Sequence, residues 1–320
     1  MVVTTVIPLY NMAQYIGRAI SSVLNQTFPP DEIIIVDDGS TDGGGKLVQI
    51  NKDPRIRFIH QKNMGVSTAR NRGISEARGE LIAFLDADDF WKPRFLEEIH
   101  RLRQQFPQAG AYATALEYQS LQGINFLKLH ILPPGQKSGI LNFFKVIKYS
   151  PVWTITTVVP KKILEEIGGF PEGEFFLEDL DTWLRIALRY PIAWSCEPLA
   201  TYYQLDSPEK YPKRYGKITQ EPRVVQTARE AIATGQVASK DLPYLQESIA
   251  ILLLSLARAL LIHGKKDLAQ SFIESGTREF QPSSASRLLR LTTALPINLF
   301  HEKIIRTWLQ IILYLYYHSN

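Results

Sequence analysis

The chain has 320 residues, 45% of them hydrophobic and 21% charged, with a formal net charge of +4. That composition fits a globular fold with a sizeable core and offers no lysine/arginine stripe for a nucleic acid. Cys196 is the only cysteine, which excludes an intrachain disulfide framework and fits a reducing compartment. The start enters an apolar strand without a basic n-region or cleavage pattern, so no signal peptide is expected. No apolar run approaches the ~20 residues of a membrane span. The longest candidate, 249–262, is interrupted by Arg258. A cytoplasmic location is the expectation.

In chain order, the pattern predicts a strand over 2–9 and an amphipathic helix over 12–25, with Ile16, Ala19, Ile20, Val23 and Leu24 on one face. Strands are predicted over 33–36 and 55–60, a helix over 66–78, a strand over 81–85 and a helix over 93–106 with Pro93 in its first turn. Such alternation implies an α/β fold with a mainly parallel, doubly wound sheet, whose ligands sit at the carboxyl ends of strands. The pattern is more mixed from 111 to 194, with a strand predicted over 154–159 and a helical stripe at Leu177, Leu180, Leu184, Ala187 and Leu188. The expected division is a domain over 1–207, a basic, tyrosine-containing linker over 208–222, and an all-helical region over 223–320.

Two acidic clusters follow apolar strands: Asp37-Asp38-Gly39-Ser40 and Asp86-Ala87-Asp88-Asp89. Crowded carboxylates repel and resist desolvation, so a fold alone gains nothing from them. A divalent metal with a phosphorylated ligand would give them a purpose. Asp86 and Asp88, alternate residues at a strand end, can both turn an oxygen toward one Mn2+ or Mg2+ ion. Asp38, or its neighbour Asp37, can accept hydrogen bonds from a nucleobase edge, although Asp-Gly-Ser-Thr is also a good turn and cap sequence. Thr41, Asp42 and Asn11 read as helix caps, and Asp89 as a cap for the helix near Pro93. A third cluster, Glu178-Asp179-Leu180-Asp181, reads either as a catalytic carboxylate group or as an acidic first helical turn. Asp181 stands four residues before Arg185, the spacing of a helical ion pair.

Five ordered motifs carry a resemblance: Val6-Ile7-Pro8-Leu9-Tyr10-Asn11; Val36-Asp37-Asp38-Gly39-Ser40-Thr41-Asp42; Asn63-Met64-Gly65 with Ala69-Arg70-Asn71-Arg72-Gly73; Gly79-Glu80 through Asp86-Ala87-Asp88-Asp89; and Gly168-Gly169-Phe170 leading to Glu178-Asp179. Over about residues 1–205 the chain resembles family 2 glycosyltransferases. The resemblance implies the GT-A fold and an inverting, metal-assisted transfer of a sugar from a nucleotide diphosphate (UDP, GDP or dTDP) to a hydroxyl of a glycan or lipid-linked acceptor. It implies Asp179 as catalytic base with Glu178 orienting it or touching the acceptor, beside Asp181. It places Asp88 on the metal and Asp86 on ribose, metal or its water. Asp37, Asp38, Arg70, Pro8 and Tyr10 would surround the nucleotide. The processive Gln-x-x-Arg-Trp signature is absent, so a non-processive enzyme is expected. The family's Tyr-Arg-x-His-like segment is replaced by Thr201-Tyr202-Tyr203-Gln204, which leaves a basic loop, Lys210, Lys213, Arg214 and Lys217, as an alternative diphosphate clamp. That gap keeps a catalytically silent nucleotide or glycan binder as an alternative. A sugar nucleotidyltransferase fits less well, because its glycine- and lysine-rich triphosphate loop is missing.

Beyond residue 223 no catalytic motif is visible. The stretch 304–317 is an aromatic-rich amphipathic helix candidate, suited to packing on a partner or to peripheral membrane contact near a lipid-linked acceptor.

Overall fold

The computed structural model describes residues 2–120, 123–126, 131–203 and 215–280. The chain divides into two compact units: Met1–Asp206 with Pro222–Ala231, and Ser207–Glu221 with Ile232–Asn320. Residues 222–231 therefore belong to the first unit, although the sequence reading placed 223 onward in the helical region. The cause is burial: Val224, Val225 and Ala228 are fully enclosed, and Thr227 Oγ1 donates to Asp181 Oδ1.

The first unit is built on a ten-stranded mixed sheet in the order β3-β2-β1-β4-β9-β6-β10-β5, with β7 on β6 and β8 on β10. Its strands are β1 (Val3–Leu9), β2 (Glu32–Asp37), β3 (Ile56–His60), β4 (Leu81–Phe84), β5 (Phe90–Trp91), β6 (Ala111–Ser120), β7 (Gly123–Phe126), β8 (Ser138–Ile140), β9 (Thr157–Pro160) and β10 (Ile192–Tyr203). The half containing β3, β2, β1 and β4 is parallel, as the strand–helix alternation predicts. Beyond it, β9 runs antiparallel to both β4 and β6, while β10 is parallel to β6. The segment predicted as a strand over 154–159 opens instead with a 3-10 turn over Thr154–Thr156.

Helix α1 (Ala13–Leu24) buries the face expected from its periodicity, with Ile16, Ala19, Ile20 and Val23 enclosed. Helices α2 (Gly44–Gln49), α3 (Val66–Glu76) and α4 (Phe95–Gln105) complete the parallel half. Helix α3 lies close on β1 because residue 73 is glycine: a Cβ there would stand 2.3 Å from Val6 Cγ1. Short helices α5 (Phe143–Val146) and α6 (Lys161–Ile167) precede α7 (Glu178–Ala187), and α8 (Arg223–Ala233) follows β10. The register pairs Leu9 with Asp37, and Leu85 N bonds Val6 O, so the loops after β1, β2 and β4 leave the sheet side by side.

In the second unit, α9 (Leu242–Ile262) packs on α10 (Lys266–Arg278), with Gly276 close to Ala250 and Leu253. Among the described residues α9 is the one helix long and apolar enough to cross a membrane, which the sequence reading missed by breaking the run at Arg258. Half of its apolar stretch is buried in the protein. The 304–317 candidate lies outside the described residues.

Candidate active site

The loops that leave β2 and β3 are tied together by carboxylates. Asp38 Oδ1 accepts from Met64 N at 2.9 Å and Gln61 Nε2 at 2.8 Å, and its Oδ2 accepts from Gly65 N at 2.9 Å. Asp37 Oδ1 accepts from Ser40 N at 3.0 Å, while its Oδ2 lies 3.0 Å from His60 Nδ1. Both aspartates are buried. Their side chains hold the 61–65 loop and the 37–40 turn. A carboxylate oxygen with one partner still has a lone pair to offer, so a ligand contact from Asp38 Oδ2 stays chemically open. Met64 in this loop and Tyr10 after β1 are exposed, and Pro8 sits in β1.

Asp42 acts as a cap, accepting from Ala13 N at 2.8 Å at the start of α1 and from Gly44 N at 2.9 Å. Asn11 does not cap: it stands at φ 52°, a left-handed conformation open to asparagine, and its Oδ1 accepts from Thr41 N at 2.8 Å. Asp89 does not cap α4 either. It is buried, and its Oδ1 accepts from Tyr203 N at 2.7 Å. Burial, reinforced by Asp88 and Asp86, holds its carboxyl well above the ordinary range.

Arg70 is the hub of the site. The resemblance puts it beside the nucleotide, and in the fold its side chain is only 4% exposed. Nη1 donates to Glu178 Oε1 at 3.0 Å and Nη2 to Asp86 Oδ1 at 2.9 Å. The guanidinium lies over the Phe170 ring at 5.2 Å, and that ring meets Phe84 and Trp183 edge-on. Asn71 holds Phe170 in place through its backbone N and O. Burial works against the charge of Arg70, but Asp86 and Glu178 outweigh it and keep the group above its ordinary pKa. One side chain thus couples the Asp86 loop to the start of α7.

Asp179 follows Glu178 on α7. Its Oδ2 accepts from Thr154 Oγ1 at 3.2 Å and its Oδ1 from Leu180 N at 2.8 Å. Burial and the neighbouring Glu178 push its carboxyl up to about 6, against the opposing pull of Arg70. A carboxylate poised there can take a proton near neutral pH. Asp181 differs: it has no exposed surface, and it binds Arg185 Nε through Oδ2 at 2.8 Å and Thr227 through Oδ1. Both oxygens are committed, Oδ2 to Arg185 on the same helix and Oδ1 to Thr227 of α8, so we assign Asp181 a structural part in place of acceptor contact.

Arg18 is a site residue that the sequence reading missed. From α1 its Nη2 donates to Asp88 O at 2.5 Å, and its guanidinium lies 4.0 Å from the Tyr203 ring centre and 4.7 Å from that of Phe90. It anchors the loop that carries Asp86 and Asp88. In the sequence it looks like one more polar residue on an amphipathic helix, and only the approach of β10 reveals its partners. Of the basic loop, Lys210, Lys213 and Arg214 lie outside the described residues.

Among the described residues no group of three or more His, Cys, Asp or Glu side chains stands ready to enclose a cation. The pair Asp86 and Asp88, neither fully buried, offers hard oxygen donors, with Asp86 using Oδ1 on Arg70. An incomplete carboxylate set fits Mg2+ or Mn2+, which take their remaining ligands from water and phosphate oxygens.

Residues 4–168 match the sequence model of glycosyl transferase family 2. An uncharacterized glycosyltransferase of Rickettsia felis is 37% identical over 193 residues, which is 59% of this chain and 31% of the relative. One of Nostoc sp. is 47% identical over 113 residues, 34% of this chain and 35% of that protein. The matches thus span about a third of these relatives' own length. Two solved structures share the fold: S. aureus TarS 1-349 in complex with UDP-GlcNAc, at 15% identity and TM-score 0.57 over 87% of this chain and 92% of that one, and the mannosyltransferase PcManGT from Pyrobaculum calidifontis in complex with GDP-Man and Mn2+, at 22% identity and TM-score 0.58 over 98% and 84%.

Proposed function

Because the chain belongs to glycosyl transferase family 2, we propose that it transfers a sugar from a nucleotide-diphosphate donor to a hydroxyl acceptor, with inversion and one sugar per encounter. The observation that carries this reading is the Arg70 bridge, which sets a carboxylate loop suited to a metal–diphosphate beside a carboxylate suited to a base. Asp86 and Asp88 would hold Mn2+ or Mg2+, which when bound supplies positive charge to the leaving diphosphate. Asp179 takes the acceptor hydroxyl proton as that oxygen attacks the anomeric carbon, and the bond to the diphosphate breaks on the opposite face. No second nucleophile is required. Glu178, held by Arg70, orients the start of α7. The loops tied by Asp37 and Asp38, with Tyr10 and Pro8, form the nucleobase end. The bound UDP-GlcNAc and GDP-Man of the two structural neighbours make uracil and guanine nucleotides the first donors to try.

Thermal unfolding with UDP, GDP, dTDP and CDP, each with and without MnCl2, tests this reading. One nucleotide should raise the melting temperature in a manganese-dependent way; at a hundredfold excess over Kd the gain is about 2.7 kcal/mol. Asp88→Ala should remove most of that gain. No response to any nucleotide, or a full response in Asp88→Ala, would refute the metal–nucleotide assignment. A manganese-dependent shift without any sugar transfer would instead favour the silent binder.

The position of Asp179 also sets a pH dependence. Only the ionised base works, so kcat/KM should climb about tenfold per pH unit below its midpoint near 6 and level off above it. A profile flat between pH 5 and pH 7 would remove Asp179 from the role.

A further inference from the structure

Three aromatic side chains far apart in sequence meet on the β6–β10 side of the sheet: Tyr118 from β6, Trp153 from the turn before β9, and Tyr202 from β10. Their ring centres are 6.0 Å apart for Tyr118–Trp153, 5.9 Å for Tyr118–Tyr202 and 5.5 Å for Trp153–Tyr202. The first two pairs meet edge to face and the third is tilted, so the rings do not cover one another by stacking. They rest on the core, yet none of the three is fully buried. Trp153 is fixed in place: its Nε1 donates to Ser150 O at 2.7 Å, and its carbonyl accepts from Thr157 Oγ1 at 2.6 Å.

The placement gives the cluster its meaning. Trp153 is the residue before Thr154, whose hydroxyl bonds Asp179. Tyr202 is the residue before Tyr203, whose N–H bonds Asp89 in the carboxylate loop. Trp153 is thus the chain neighbour of a residue that bonds the base, and Tyr202 the chain neighbour of one that bonds the carboxylate loop. The nucleobase end, by contrast, lies at β1 and β2, separated from β6 in the strand order by β4 and β9. A diphosphate has no use for an apolar aromatic surface. A pyranose does, because one of its faces is lined with polarised C–H groups that suit the negative face of an aromatic ring.

Resting on the transferase reading above, we infer that Tyr118, Trp153 and Tyr202 form the platform on which the acceptor's sugar ring stacks, presenting a hydroxyl to Asp179. The acceptor is then a glycan with a pyranose at the receiving end, not a bare lipid alcohol or a protein side chain.

Saturation-transfer difference NMR suits the weak binding expected of single sugars. The probes are methyl β-glucoside, methyl α-mannoside, cellobiose and diacetylchitobiose, each added to the full chain with diamagnetic MgCl2 and whichever nucleoside diphosphate raises its melting temperature. At least one should receive saturation selectively on the C–H protons of one ring face. That signal should fall about threefold or more in Trp153→Ala and Tyr202→Ala, in keeping with the worth of one aromatic contact, and persist in Trp153→Phe. A signal equal in Trp153→Ala overturns the inference, as does the absence of any face-selective signal while the nucleotide still binds. A Trp153→Ala variant that loses the nucleotide shift along with the sugar signal also overturns it, by assigning the ring to the donor. Failure of the wild-type chain to bind any nucleotide would count against the transferase reading, a separate outcome.

Discussion

Asp179→Asn is expected to lower sugar transfer by about a thousandfold while leaving the manganese-dependent nucleotide shift in place. The amide keeps the shape, its oxygen accepting from Leu180 N and its nitrogen donating to a turned Thr154 hydroxyl, but it cannot accept a proton at working pH. The same substitution should raise the stability of the unliganded protein at neutral pH. Burial and Glu178 push the carboxyl of Asp179 to about 6 in the fold, above the 3.8 of an unperturbed aspartate. A raised acid binds its proton more tightly folded than unfolded. Its stability contribution is therefore complete below pH ~4 and is lost as pH rises through 6. Above that the wild type carries an ionised group in a place that disfavours it, at a cost of order 3 kcal/mol. Asparagine removes that cost. Melting curves should place the variant a few degrees above wild type at pH 8 and level with it at pH 4. A variant that retained normal turnover, or that gained stability only in acid, would mean that Asp179 is an ordinary helix-terminal acid.

The contrast between what was and was not legible in the sequence follows the range of the interactions. The parallel half could be read because β1, β2 and β4 are mainly apolar runs between helical stripes, and the carboxylate clusters sit where such strands must end. The Asp181–Arg185 pair could be read because its spacing is a helical turn. Strand β10 could not: Pro198 and two register shifts, at Ser195/Pro198 and Pro198/Ala200, break its alternation. The roles of Asn11 and Asp89 escaped for a related reason. Local sequence makes both good caps, but Thr41 and Tyr203, contributed by other segments, claim their oxygens first. Arg18 and the Tyr118–Trp153–Tyr202 cluster depend wholly on contacts between segments remote in the chain, and periodicity carries no record of those. Even Arg70, placed at the site by its motif, has partners, Glu178 and Asp86, that nothing near it in sequence announces.

Those partners make Arg70 the position where stability and catalysis are most tightly joined. In Arg70→Ala, Glu178 would stay buried with no cation on Oε1, and Asp86 would lose the partner of its Oδ1. Breaking a buried pair in this way costs about 3–5 kcal/mol, since the surviving charge must be desolvated alone or protonated. Melting should fall sharply, and activity with it. Arg70→Lys is the more informative change. The guanidinium serves Glu178 and Asp86 through two different nitrogens of one planar group, while an ammonium is a point charge that favours one carboxylate at a time. This variant should fold with a smaller loss, yet respond to manganese and nucleotide at least about tenfold more weakly, because the Asp86 loop is no longer coupled to α7. The double variant Arg70→Met with Glu178→Gln separates the two effects. Neutralising the orphaned carboxylate should recover about 2 kcal/mol of the stability lost by Arg70→Met alone, through the coupling expected of groups in contact, and restore no transfer. If Arg70→Ala melted at the wild-type temperature, the bridge would not be a buried ion pair at all. If the double variant regained transfer, Arg70 would serve the fold only, and the alignment of base and metal loop would have to arise elsewhere.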